Sequence, residues 1–131
     1  MNIIKTFTIA AVLLLANFAN AQSVSDKWPA IKTFHGVMSQ TFHPAEEGNL
    51  APIKARSLEM VEKAEALLKS DIPAEFKTAS IMASAERIQI KSKALHKMIL
   101  SGSSDADITA KLSELHDTFH EIVGLCKNEK H

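Results

Sequence analysis

The feature that most constrains the fold is a helical repeat of apolar residues near the C-terminal end, between Leu112 and Cys126. Steps of three and four residues place these side chains on one face of an α-helix. The face consists of Leu112, Leu115, Phe119, Ile122, Val123 and Cys126. Such a helix needs neighbouring elements to cover its apolar face, so the rest of the chain has to supply partners.

The same spacing recurs in three earlier segments. In the first predicted helix it includes Trp28, Ile31, Phe34, His35, Met38 and Phe42. Ser25 or Asp26 is expected to cap this helix, and Pro29 is tolerated in its first turn. We expect it to end near His43-Pro44, because a residue before proline disfavours the α-helical region.

The remaining helices are bounded by turn-forming residues. Asn49 is expected to cap the second helix, and this helix is expected to end at residues 70–73. Asp71 is expected to cap the third helix, and Ser104 the fourth, after a turn at residues 101–105. Four amphipathic helices joined by short turns predict an all-α fold, an antiparallel up-down-up-down four-helix bundle.

Residues 1–21 have the features of a secretory signal peptide. Lys5 supplies an early positive charge, residues 7–15 are apolar, and Ala19-Asn-Ala21 forms an A-x-A cleavage site. The apolar run is too short to cross a membrane, and no later segment is a candidate span. We therefore expect cleavage after Ala21, leaving one domain, residues 22–131, in the periplasm or outside the cell.

The charge balance and the cysteine content exclude some classes of protein. The chain has 15 Lys+Arg and 15 Asp+Glu, and Lys5 leaves with the signal peptide. This balance argues against a nucleic-acid binder, which needs a basic face. With Cys126 as the single cysteine, no internal disulfide can form. Stability must therefore come from the core, or from a bound metal or cofactor.

No catalytic motif is present. His120-Glu121 resembles the start of an H-E-x-x-H motif, but Gly124 stands where the second histidine is needed. The sequence also lacks a phosphate-binding loop and a Ser-His-Asp arrangement. A non-catalytic function is therefore predicted.

The last helix carries two histidines, His116 and His120. Residues four apart on a helix lie about 6 Å from each other, so these imidazoles can chelate one transition metal ion. Imidazole suits Zn, Cu and Ni alike, so the metal is not specified. The alternative is that the pair lies on an ordinary solvated helix face.

Other ligands are expected from the level of the pair within a bundle. If the centres of antiparallel helices align, His35 lies roughly level with His116 and Met38 within one turn of it. Part of the second helix reaches the same level. The predicted metal site consists of His35, His116 and His120, with Met38, Glu59, Met60 or water completing it. His35 could instead be a hydrogen-bonded core residue, and the methionines core filler.

A second, less specific cluster is expected at one end of the bundle. It consists of His43, His96, Glu46 and Glu47, from the end of the first helix, the adjoining turn and the end of the third helix. The simpler interpretation is that these residues are solvated near helix ends. Cys126, at an apolar position, is expected to be a small buried hydrophobe.

The signal peptide, the four short helices and the aromatic-His pair Phe119-His120 on the last helix resemble the periplasmic four-helix cytochromes of the cytochrome b562 and cytochrome c′ group. The resemblance implies electron transfer by a b-type haem held non-covalently, with His120 on one side of the iron and Met38 or His35 on the other. Covalent haem attachment is excluded, because the chain has no C-x-x-C-H motif.

A third interpretation is a helical interaction module whose histidines are structural. It predicts no metal affinity and an apolar surface patch that meets an unknown protein partner. A homodimer is also possible, in which ligands come from one chain or from two.

Overall fold

The computed structural model describes residues 23–128, so the predicted signal peptide lies outside the described residues. This part of the chain is all-helical and contains no strand, which confirms that the fold is all-α. One helical turn, Val24–Lys27, precedes the first long helix, and a 3₁₀ turn, Ala74–Phe76, precedes the third. The long helices are α1 (Pro29–Glu46), α2 (Ala51–Lys69), α3 (Ala79–Leu100) and α4 (Asp105–Asn128). None of these helices is long and apolar enough to cross a membrane.

The start of α1 differs from the prediction. Ser25 and Asp26 do not cap it, because both lie inside the preceding helical turn, which Ser23 caps by accepting a hydrogen bond from the Asp26 N–H at 3.3 Å. Trp28 separates that turn from α1, which begins at Pro29. Proline is favoured at a first helical position, where its missing N–H would have no partner anyway.

The predicted end of α1 at His43-Pro44 is also wrong, because the helix continues through Pro44 to Glu46. Two residues beyond the end of the helix, Gly48 has a positive φ of 87°. The Asn49 N–H donates to the Pro44 carbonyl at 2.9 Å, and the Gly48 N–H to the Ala45 carbonyl at 3.0 Å. This is a Schellman motif, in which glycine ends the helix and satisfies its last carbonyls.

The starts of the other long helices confirm one predicted cap and correct two. The residue at the cap position of α2 is Leu50, which makes no side-chain cap, and Asn49 lies one residue before it, where its Oδ1 accepts a hydrogen bond from the Ala51 N–H at 3.1 Å. Ser104 Oγ accepts one from Asp107 N–H in the first turn of α4, at 3.1 Å. Asp71 does not cap α3, because the 3₁₀ turn intervenes and Thr78 is the cap.

Contacts between the helices link neighbours along the chain and then link α4 back to α1. Trp28, just before α1, contacts Ser70, just after α2, and Gln40 of α1 contacts Arg56 of α2. Helices α2 and α3 are linked by Ser57 with His96 and by Glu65 with Lys93, among other contacts. Helices α3 and α4 are linked by Ser84 with Glu121 and by Lys91 with Thr118, among other contacts. Phe34 of α1 meets Phe119 of α4, with ring centroids 5.6 Å apart.

The core contains buried apolar side chains from every long helix. Trp28, fully buried, packs on Phe76 of the 3₁₀ turn with ring centroids 6.1 Å apart. Its indole N–H donates to Ser70 Oγ at 2.9 Å, and Ser70 Oγ donates to the Leu67 carbonyl at 2.9 Å. These contacts fix the α2–α3 connection against the start of α1. Cys126 is buried, as predicted.

Candidate metal centre

The two histidines of α4 face each other directly. The Nε2 atoms of His116 and His120 lie 3.1 Å apart, which is a hydrogen bond between the two imidazoles, and their rings are nearly perpendicular. Two nitrogens at this separation, each about 2.0–2.1 Å from a shared zinc ion, would subtend about 100° at the metal, close to the tetrahedral value of about 109°. The spacing of this pair therefore fits one tetrahedral metal ion.

Phe42 of α1 holds one face of the His116 ring. The two rings are stacked, with centroids 3.8 Å apart and planes 12° from parallel. Burial lowers the pKa of His116, and the neighbouring His120 lowers it further, against the opposite effects of Asp117 and Glu46. His116 is therefore neutral, and able to bind a metal, over a wider pH range than an ordinary histidine.

His35 is exposed, not buried in the core, and its ring stacks on Phe119 with centroids 5.3 Å apart. His35 therefore lies beside Phe119, three residues after His116 on α4, and the ring that lies against His116 is that of Phe42. Helix α1 begins and ends later along the chain than predicted, so its centre also lies further along the chain. The rings of Phe34, His35, Phe42, His116 and Phe119 form one contact between α1 and α4, here called the aromatic seam.

The other proposed ligands have different surroundings. Met38 and Met60 are almost completely buried in the hydrophobic core. Both carboxylate oxygens of Glu59 accept hydrogen bonds from Arg56, at 2.8 and 3.0 Å, and this lowers the pKa of Glu59. Within residues 23–128, no group of three or more His, Cys, Asp or Glu side chains is arranged to hold a metal. The structure thus brings together His116 and His120 from the predicted site.

The residues of the second predicted cluster are divided between two places. His43 Nδ1 lies 3.6 Å from Glu46 Oε1, and both side chains are exposed. They lie near enough to the histidine pair for their charges to affect His116. His96 instead has a hydrogen bond between its Nδ1 and Ser57 Oγ of α2, at 2.7 Å. Glu47 is exposed at the end of α1.

Two surface cavities lie away from the haem ligands implied by the cytochrome resemblance. One, of about 320 Å³, is lined by Ala30 of α1, by α2 residues that include Glu62, and by Ser70 just after α2. The other, of about 410 Å³, lies between α3 and α4 beside Arg87 and Glu121. Neither cavity is lined by Met38, His35 or His120, and haem binding at Met38 would require the core to open.

Sequence inspection missed the role of Phe42. The helical spacing places it on the apolar face of α1, but nothing in that spacing indicates which residue of α4 it meets. The partner of His96, Ser57, was missed for the same reason. Comparisons of this chain with models of protein families, with curated proteins and with solved structures gave no match.

Proposed function

We propose that this protein binds a transition metal ion, such as Zn, Cu or Ni, through Nε2 of His116 and Nε2 of His120, without catalysing a reaction. The separation of 3.1 Å between these two atoms supports the proposal. Imidazole is a good ligand for all three metals. Buffering, sensing or delivery of the metal would each use such a site.

The proposal includes the predicted architecture and location. A signal peptide cleaved after Ala21 would direct the domain to the periplasm or outside the cell. An antiparallel up-down-up-down bundle is supported by the order of the helix contacts. Trp28 near the start of α1 meets Ser70 just after α2, whereas Gln40 in the second half of α1 meets Arg56 in the first half of α2.

Because both proposed ligands are on α4, metal binding is expected to have a limited effect on the stability of the fold. Both nitrogens belong to one helix, so the ion bridges adjacent turns of α4 and is not needed to join separate helices. Binding to the folded state still stabilises it, by about 2.7 kcal/mol when the free metal is at 100 times its dissociation constant. The fold is therefore expected to form without metal and to gain stability when metal is added.

Metal titration of matched histidine variants tests the proposal. The protein is purified without an affinity tag, stripped with a chelator and titrated with zinc, copper or nickel in a calorimeter. We expect His116→Ala and His120→Ala each to weaken binding at least about tenfold, equivalent to about 1.4 kcal/mol. His96→Ala is the control, since His96 is on α3, where it contacts Ser57 of α2, and is not part of the pair on α4. Equal affinity in the wild type and the variant lacking both His116 and His120 would contradict the proposal.

Visible absorption of the same preparation tests the haem alternative. A Soret band, or uptake of added hemin, would support a b-type haem protein with His120 and Met38 or His35 as ligands. A colourless protein that does not take up hemin would exclude that alternative.

A further inference from the structure

The histidine pair is an incomplete site for a four-coordinate metal. Structural zinc sites are almost always tetrahedral, with four protein ligands. His116 and His120 supply two, and the described part of the chain has no group of three or more metal-ligating side chains that includes them. His120 is exposed on the outer flank of α4. A second pair of nitrogens that completes a four-ligand site would therefore come from outside residues 23–128.

We propose that a second copy of the same chain supplies those two nitrogens, so that one zinc ion joins two molecules through four imidazoles. This inference rests on the proposed function, and adds the partner and the stoichiometry to it. The commonest homodimers have twofold symmetry, in which the same surface of each chain meets its counterpart. An axis through the metal would place His116 and His120 of both chains around it.

The geometry of one pair leaves room for the other. An angle of about 100° between two nitrogens leaves a second pair, in the perpendicular plane, free to complete a tetrahedron. Asp117 and Glu46 lie near enough to His116 for their charges to affect it. Their negative charge offsets the positive charge that four neutral imidazoles leave on a zinc ion.

Gly124 leaves open space for a close approach at this flank. It lies one turn beyond His120, on the same side of α4. A Cβ placed there would meet no other part of the described chain within 4 Å, so packing within the molecule does not require glycine. Glycine in the middle of a helix is destabilising relative to alanine, but it permits the backbone of another chain to come close.

Zinc titration with simultaneous measurement of mass tests this inference. The protein, expressed with its own N-terminal segment and stripped of metal, is titrated with zinc sulfate at neutral pH. Calorimetry gives the stoichiometry and light scattering after size exclusion gives the mass. We expect a monomer without zinc, saturation at half a zinc ion per chain, a doubled mass, and a return to monomer when a chelator is added.

The other outcomes separate this inference from the proposed function. One zinc ion per chain with an unchanged mass would overturn the dimer and leave the metal-binding proposal intact. No zinc binding at all would overturn both. A dimer that persists after chelation would overturn the metal bridge, because the interface would then exist without it.

Two glycine variants provide a matched comparison. Gly124→Gln adds a neutral side chain beside the pair, and we expect the zinc-dependent dimer to weaken at least tenfold while each chain still binds zinc. Gly36→Gln is the control, because Gly36 is equally open. It lies one turn before Gln40, which contacts Arg56 of α2, and so it faces away from the pair. Equal dimerisation of the two variants would overturn the close approach at Gly124.

Discussion

The partly buried hydrogen bond from Trp28 to Ser70 allows a quantitative test of how the start of α1 and the end of α2 are held together. Trp28 has no exposed surface, and its indole N–H donates to Ser70 Oγ at 2.9 Å. Ser70→Ala would leave this N–H without its partner, which costs about 1–3 kcal/mol for a buried donor. Ser70 borders an open cavity, so water can partly replace the hydroxyl. We therefore expect a loss of about 1.5 kcal/mol.

The same substitution should cost less when the indole is absent. In a Trp28→Phe background, Ser70→Ala removes only the hydrogen bond to the Leu67 carbonyl at the end of α2, worth about 0.5 kcal/mol. The difference between the two costs, about 1 kcal/mol, is the coupling energy of the pair. Trp28→Phe also leaves a cavity, but this contribution is present on both sides of the comparison and cancels.

Urea unfolding of the wild type, the two single variants and the double variant measures this coupling. Far-ultraviolet circular dichroism is the appropriate signal, because the protein has one tryptophan and Trp28→Phe removes its fluorescence. The slope of free energy against urea should stay constant, since the surface exposed on unfolding hardly changes. If Ser70→Ala costs the same in both backgrounds, to within about 0.3 kcal/mol, the hydrogen bond does not connect these helix ends as described.

Three further predictions concern single positions. Burial holds the pKa of His116 below its ordinary value of about 6.5. As the pH falls, His116 is therefore protonated in the unfolded chain before it is protonated in the folded chain. The stability of the wild type should therefore fall more than that of His116→Ala when the pH is lowered from 7.5 through 6.5, as urea unfolding would show; parallel profiles would contradict this. In thermal unfolding, Gly48→Ala should lower the free energy of unfolding by about 1 kcal/mol, because φ at Gly48 is 87°. Gly36→Ala, inside α1 with open space around it, should raise the free energy of unfolding by up to about 1 kcal/mol. Changes of the same sign in both variants would refute the argument. The exposed ion pair of Lys54 and Asp105, at 2.8 Å, should contribute less than about 1 kcal/mol, and a larger effect of Lys54→Ala on urea unfolding would show that it does more than pair surface charges.

The helices could be predicted from the sequence because they follow from local periodicity. Their ends were predicted less well, since several signals compete over a few residues. At the end of α1, a proline disfavours helical conformation in the residue before it, but the helix continues through Pro44 and is terminated by the Schellman motif at Gly48. Before α3, Asp71 and Thr78 are both suitable caps, but the 3₁₀ turn Ala74–Phe76 lies between Asp71 and the helix, and Thr78 is the cap.

In the candidate site too, features within one helix could be predicted from the sequence, whereas features that depend on the packing of two helices could not. His116 and His120 could be paired from the sequence because they lie on one helix, where spacing fixes their separation. The position of His35 depends on how far α1 is displaced along α4, and a displacement of one turn moves a side chain by about 5.4 Å. Sequence periodicity carries no information on that displacement, so the stacking of Phe42 on His116 could be found only in the structure.

The aromatic seam has a consequence for the kinetics of folding. Most other helix contacts join elements that are neighbours in sequence, whereas the seam joins α1 to α4 across nearly the whole described chain. Closing the longest loop carries the largest entropy cost, so these contacts are expected to form after the transition state. A substitution such as Phe119→Leu should then accelerate unfolding and leave the folding rate almost unchanged. The seam would therefore determine how long each molecule remains folded, with little influence on how quickly it folds.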